Sequence, residues 1–226
     1  MMSATPHLQL ETLFILDDRG RIISTREPLP SRGPMFMLIR GAVDLAWAVH
    51  ADVADAIADE LDDLARKEPT SAEWDRPPIH SGRYQALLRG RVGGGPAFEF
   101  ADATETPVGV VTVYDEVRMQ RHFSGWVAGE IESGAAPVMA VLADGDPVSV
   151  CFCARRSMVA AEAGLETAAA FRGRGYAPRV TAAWAAAVRA SGRTSLYSTS
   201  WANTSSLAVA QKLGLKTYAT DWSITE

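Results

Sequence analysis

Arg172-Gly173-Arg174-Gly175-Tyr176-Ala177 stands between two apolar stretches of different character. Before it, MVAAEAGLETAAAF (158–171) reads as an extended strand. After it, APRVTAAWAAAVRASG (177–192) places Val180, Trp184 and Val188 four apart and stops at Gly192, the pattern of an amphipathic helix and its end. A strand-to-helix loop of this composition suits an anion. The first N–H groups of a helix have no intrahelical partner, and the helix dipole adds partial positive charge there. Glycines let the main chain approach an anion closely, and arginines add charge-assisted hydrogen bonds. Alone, the segment fits a turn with two exposed arginines equally well. Two other phosphate loops match worse. No G-x-x-x-x-G-K-[ST] occurs, and Gly173 and Gly175 are followed by Pro178 where a G-x-G-x-x-G loop needs its third small residue.

Outward from the loop the elements are short and regular. TSLYSTSW (194–201) reads as a strand, NTSSLAVAQKLG (203–214) as a helix and LKTYATDWSI (215–224) as a closing strand. Upstream, VGVVTVY (108–114) reads as a strand, VRMQRHFSGWVAGEI (117–131) as a helix, and VMAVLADGDPVSVCFCAR (138–155) as a hairpin turning at Asp144-Gly145. This alternation predicts an α/β or mixed α+β sheet covered by helices.

The loop resembles the coenzyme A signature of the GCN5-related N-acetyltransferases (GNAT), [QR]-x-x-G-x-[GA], met here by Arg172, Gly175 and Ala177. In register some thirty residues downstream, Trp201 to Ser206 leads into Val209-Ala210-Gln211-Lys212-Leu213-Gly214-Leu215, which is similar to that family's second motif. The resemblance covers residues 107–226. It implies a central mixed sheet with splayed parallel strands and acetyl-CoA, or another acyl-CoA, as cofactor. It also implies an amine of a small molecule or peptide that attacks the thioester directly. Carried over by position, the pantetheine arm would lie along Leu165, Glu166 and Thr167, the diphosphate on Gly173, Arg174, Gly175, Tyr176 and Ala177 beside Arg172, and Asn203 and Ser206 on the opposite wall.

The chain departs from the family pattern at Ala210, where many members place a tyrosine that protonates the leaving thiolate. Ser205, Ser206, Tyr197 and Tyr218 are the substitutes in this sequence, unranked. For the general base, Glu162 and Glu166 lie four apart on one strand and so on one face, where burial beside a second carboxylate would raise one pKa. Glu166, closer to the loop, is the preferred candidate; two strand carboxylates with structural partners are the other reading. A chain that binds acyl-CoA without turnover, as a sensor or interaction module, is the alternative to an enzyme.

Residues 1–106 carry no nameable motif. LETLFIL and RIIST around Asp18-Arg19-Gly20 read as a hairpin and MFMLIR (35–40) as a strand. Residues 41–66 read as one long helix with an apolar stripe through Val43, Trp47, His50, Ala54, Ile57, Leu61 and Leu64. A proline-bearing loop (68–80) and a short helix SGRYQALLRG follow, and Gly93-Gly94-Gly95-Pro96 is the strongest breaker and the expected boundary. The expectation is an N-terminal α+β lobe, 1–106, docked on an acyltransferase domain, 107–226, walling the acceptor side. A stripe that joins two copies into a homodimer is the second reading.

The composition excludes some classes. A net charge of −5 argues against a general grip on nucleic acid or anionic membrane, although a local basic patch is compatible with it. No run approaches a membrane span, and the opening MMSATPHLQLET lacks a leader pattern, so a cytoplasmic protein is expected. Cys151 and Cys153, at i and i+2 of a strand, are expected as two reduced core thiols, since His7, His50, His80 and His122 show no metal-ligand spacing.

Overall fold

The computed structural model describes residues 3–100, 107 and 109–226. Its helices are α1 (Pro6–Leu13), α2 (Asp55–Ala65), α3 (Ser81–Leu87), α4 (Glu116–Gln120), α5 (Tyr176–Ala190) and α6 (Thr204–Lys212). Its strands are β1 (Phe14–Leu16), β2 (Ile22–Thr25), β3 (Phe36–Gly41), β4 (Leu45–Val49), β5 (Arg91–Glu99), β6 (Val111–Thr112), β7 (Met139–Ala143), β8 (Asp146–Arg156), β9 (Ala160–Thr167), β10 (Thr194–Ser198) and β11 (Lys216–Thr225). β1 and β2 form a small hairpin; the others make a nine-stranded mixed sheet in the order β4-β3-β11-β5-β10-β9-β8-β7-β6. Among these neighbours only β9 and β10 run parallel. Alternation along the strands divides the core. One face packs on α5 and α6 and, at the other end, on α2 and α3. The opposite face packs on α1, the β1–β2 hairpin and the α4 region.

From β7 onward the sequence reading holds, with a 3-10 turn at Ala169–Phe171 ending the extended stretch before the loop. Asp144 and Gly145 turn the β7–β8 hairpin with positive φ at both positions. Cys151 and Cys153 are free, buried on the α5 side and inside the core; no metal-binding group of residues occurs among the described residues. No described helix is long and apolar enough to cross a membrane.

Upstream, five readings need correction. Residues 41–66 are a strand, a connection and a shorter helix. Leu45 to Val49 is buried on both faces, with Ala46 and Ala48 against α1's side and Trp47 towards α2, so a four-three spacing arises there without a helix. Val43, which began the stripe, is 88% exposed. The rest of the stripe, around Ala58, Leu61 and Ala65, is consumed in the core with Tyr84 and Trp222. Residues 8–13 belong to α1, capped by the Thr5 hydroxyl, and the hairpin shrinks to β1 and β2. The expected helix at 117–131 stops at Gln120, and a π-helical turn at Ile131–Ala135 follows. The strand expected at 108–114 is reduced to Val111–Thr112, and Val108 lies outside the described residues.

The fifth correction concerns the breaker. Gly93, Gly94, Gly95 and Pro96 lie inside β5, paired with β11, in the middle of the sheet. The division expected between 106 and 107 adjoins residues outside the described ones, but β3 and β5 from the first part pair directly with β10 and β11 from the second. A fragment of 107–226 would leave β11 without either of its neighbours and β10 without one, exposing unpaired edges on both. Expressed alone it should give no cooperative melting transition by circular dichroism; a folded, monomeric fragment would show that the two parts are separable lobes.

Candidate active site

The site begins where two strands separate. β9 and β10 pair only at Ala160/Thr194, Ala161/Ser195 and Glu162/Leu196. Beyond that β9 continues to Thr167 along β8, while β10 stays with β5. The gap is a cleft of about 600 Å³, within the range of small-molecule sites. Its walls are the end of β9, the loop before α5 and the start of α6.

The loop conformation follows from its glycines. Gly173 and Gly175 both have φ of +75°, and an added Cβ at either would meet no protein atom within 4 Å. Their need for glycine is thus conformational, and the space a side chain would fill is open to a ligand. Gly175 is the N-cap of α5, so the N–H groups of Tyr176 and Ala177 lie in its first turn, without a preceding turn to receive them. Pro178 in the same turn has no N–H to satisfy. Arg172 braces the loop, its Nε donating to the Thr167 carbonyl at 3.2 Å. On the other wall, Asn203 caps α6, its Oδ1 accepting from the Ser206 N–H at 3.1 Å. The family motif's asparagine thus has a local structural reason here.

Leu165, Glu166, Thr167, Arg172, Gly173, Gly175, Tyr176, Ala177, Asn203 and Ser206 all line the cleft, as does Lys212, which the sequence reading missed. Arg174 does not join them: its guanidinium lies over the Phe171 ring and donates to the Ala170 carbonyl. The cradle of N–H groups, the glycine space and Arg172 with Lys212 fit a diphosphate on this structure's own terms.

The two carboxylates share a face but not an environment. Glu166 is exposed at the cleft, and its pKa is raised by partial burial and then by Glu130, not by Glu162. Glu162 is only 3% exposed and sits at the last paired position, where the strands part. Neither of its carboxyl oxygens has a hydrogen-bond partner of good geometry, and burial raises its pKa; Ser198 facing it from β10, and Arg155, temper the rise.

Of the substitutes for the missing tyrosine, Tyr218 donates to Gln9 on the opposite face, at 2.9 Å. Tyr197 is buried with Val209 and Ala210 at the base of α6 and donates to the Ser206 carbonyl at 3.3 Å. The small side chain of Ala210 thus packs in the same cluster as the Tyr197 ring. Burial pushes the Tyr197 phenol up to about 12, so it stays protonated at neutral pH.

Residues 144–223 match the family described as FR47-like protein. No curated protein matches the sequence. Among solved structures, a GNAT-family acetyltransferase from Novosphingobium aromaticivorans shares 21% identity at a TM-score of 0.50, over 59% of this chain and 64% of that one, so the match spans less than two thirds of that protein. A GCN5-related N-acetyltransferase-like protein from Streptococcus suis aligns at 15% identity and TM-score 0.48, over 85% of this chain and 84% of that one. A GNAT-family acetyltransferase from Colwellia psychrerythraea aligns at 13% identity and TM-score 0.48, over 80% and 76%. The chain thus carries a segment similar to the FR47-like family, and its fold is similar to that of the GNAT-family acetyltransferase from Novosphingobium aromaticivorans.

Proposed function

We propose that this protein is an acyl-CoA-dependent N-acyltransferase that uses acetyl-CoA and passes its acyl group to an amine. The observation that carries this reading is the cleft between the diverging β9 and β10, closed at one end by a glycine loop with φ of +75° at Gly173 and Gly175. Bound there, the thioester supplies an activated acyl carbon. The chain's residues do the rest. The N–H groups of the loop and Arg172 hold the diphosphate, and the unpaired edge of β9 through Thr167 receives the pantetheine amide groups as an extra strand would.

The reacting carbon then lies deep in the cleft, where the strands part, and Glu162 is the carboxylate at that position. Glu162 is therefore the better base and Glu166 the weaker candidate, its carboxylate being further along β9 and open to solvent. A base that is buried and lacks hydrogen bonds takes up a proton readily at neutral pH. Tyr197 donates a hydrogen bond to the departing sulfur from the α6 side, filling the role left vacant at Ala210.

Thiol release from acetyl-CoA over a panel of amines, with acetyl-CoA affinity measured by calorimetry, tests the reading. Binding with amine-dependent release is expected; binding without release for every amine would overturn it in favour of a sensor. Tyr197→Phe should lower kcat roughly tenfold while leaving CoA affinity unchanged, because a single hydrogen bond to the leaving group is removed. An unaltered kcat would clear Tyr197 of any part in the reaction.

A further inference from the structure

A second cavity, of about 370 Å³, lies where β3, β11 and β5 run side by side. It is large enough for a small molecule. It shares no lining residue with the cleft between β9 and β10. One turn separates the two, since Trp201 and Ala202 line the cavity and Asn203 lines the cleft. The cavity has apolar walls in Trp74, Pro77, Val92, Trp201 and Trp222. Gly94, paired with Trp222, brings no side chain into it.

The charged group at this cavity is Arg40 of β3, only 3% exposed and paired across the sheet with Thr220. It alternates with Phe36 and Leu38, so it belongs to the face that packs on α2 and α3. A guanidinium so deep normally has its N–H groups matched. Here Nη2 donates to the Arg76 carbonyl, and Nε has no partner.

The nearest acids do not supply one. Burial works against the Arg40 charge, and Glu68 is the carboxylate that favours it. Both Glu68 oxygens are engaged by other donors: the Ile79 N–H at 3.0 Å on Oε2, and the His80 N–H at 2.9 Å and the Tyr84 hydroxyl at 3.1 Å on Oε1. His80 Nδ1 lies 3.0 Å from the same Oε1. Two further acids stand on the cavity lining. Asp221 pairs with Ile39, which packs on the α1 side, so its carboxylate belongs to the opposite face. Asp75 is exposed, and the neighbouring Arg76 is paired with Glu73 at 2.9 Å.

A single buried cation with an unmade hydrogen bond, set among tryptophans, has the chemistry of a site for one negative charge on an apolar body. A carboxylate matches a guanidinium in shape and accepts in its plane. A phosphate dianion would bring a second charge where no second buried cation lines the cavity. We propose that this cavity is a second ligand site, which takes a small aromatic carboxylate with its acid group on Arg40 and its ring against Trp74 and Trp201. The site stands apart from acyl transfer and does not depend on that reading.

The test is calorimetry on the full-length protein with phenylacetate, indole-3-acetate and the neutral amide of each. At least one acid should bind, roughly tenfold or more tightly than its amide, because the charge-assisted hydrogen bond is lost in the amide. Arg40→Gln should weaken that acid roughly tenfold or more. Trp201→Ala should weaken it roughly fivefold, at a position 42% exposed where truncation spares the core. Gly175→Val, which alters the anion loop of the cleft, should leave its affinity unchanged. Melting temperatures monitor the fold; should Arg40→Gln fail to fold, Trp201→Ala and Gly175→Val still separate the cavity from the cleft. Failure of both acids to bind, equal binding of acid and amide, unchanged affinity in a folded Arg40→Gln or Trp201→Ala protein, or loss of affinity in Gly175→Val would overturn the proposal. None of these results bears on thiol release, which tests acyl transfer separately.

Discussion

Gly175→Val is expected to reduce coenzyme A affinity by at least roughly 100-fold in a protein that still folds, since several diphosphate contacts depend on one loop conformation. Gly175 holds φ of +75° at the N-cap of α5, a region that a β-branched residue occupies only under strain. The built Cβ meets no protein atom within 4 Å, so the substitution does not collide with the core. The damage falls on the loop's shape and on the space that the anion needs. Calorimetry with coenzyme A measures the loss, and the melting temperature monitors the fold. Unchanged affinity in the folded variant would show that the diphosphate is held elsewhere.

Gly95→Ala is expected to act on the fold instead, and severely. A Cβ there would stand 1.7 Å from the Thr199 carbonyl oxygen and 2.7 Å from Ser200 Cα, both backbone atoms that no rotamer change can move aside. The chain after β10 is pinned at that point by the Thr199 N–H to the Pro96 carbonyl and the Trp201 N–H to the Gly94 carbonyl. Opening those contacts should cost more than roughly 3 kcal/mol and lower Tm by roughly 10 °C for a chain of this size. Gly93→Ala is the control: its Cβ would approach only the Ser223 hydroxyl, at 3.2 Å, and a side chain can turn. Equal melting temperatures for the two variants would contradict the close approach at Gly95.

That contrast shows why the sequence was read correctly in one half and misread in the other. The loop at 172–177, Asn203 and the helices that follow were legible because their causes are local: a positive φ at Gly175, a side-chain cap at Asn203, a four-residue apolar spacing in α5. Gly93 to Gly95 read as a breaker because glycine serves turns more often than strands, whereas the close approaches here are the Asp221 carbonyl at Gly94 and the crossing of Thr199 at Gly95, each more than a hundred residues away. Leu45 to Val49 misled for a related reason, since a strand buried on both faces loses its alternation. In the candidate site the loop wall of the cleft was visible as a motif. The two carboxylates were visible only as types: burial and the shape of the splay, neither of them local, separate Glu162 from Glu166.

The two cysteines have a practical corollary. Both are wholly inaccessible in the native fold, and burial raises both thiols above their ordinary range, so neither supplies a thiolate to a reagent in solution. In the proposed thiol-release assay a chromogenic disulfide would therefore report only sulfhydryl liberated from acetyl-CoA, with no background from the protein. The same reagent with donor and acceptor omitted becomes a clock: colour develops only as fast as the β8–β9 region opens, which makes Cys151 and Cys153 built-in probes of how often that part of the sheet comes apart.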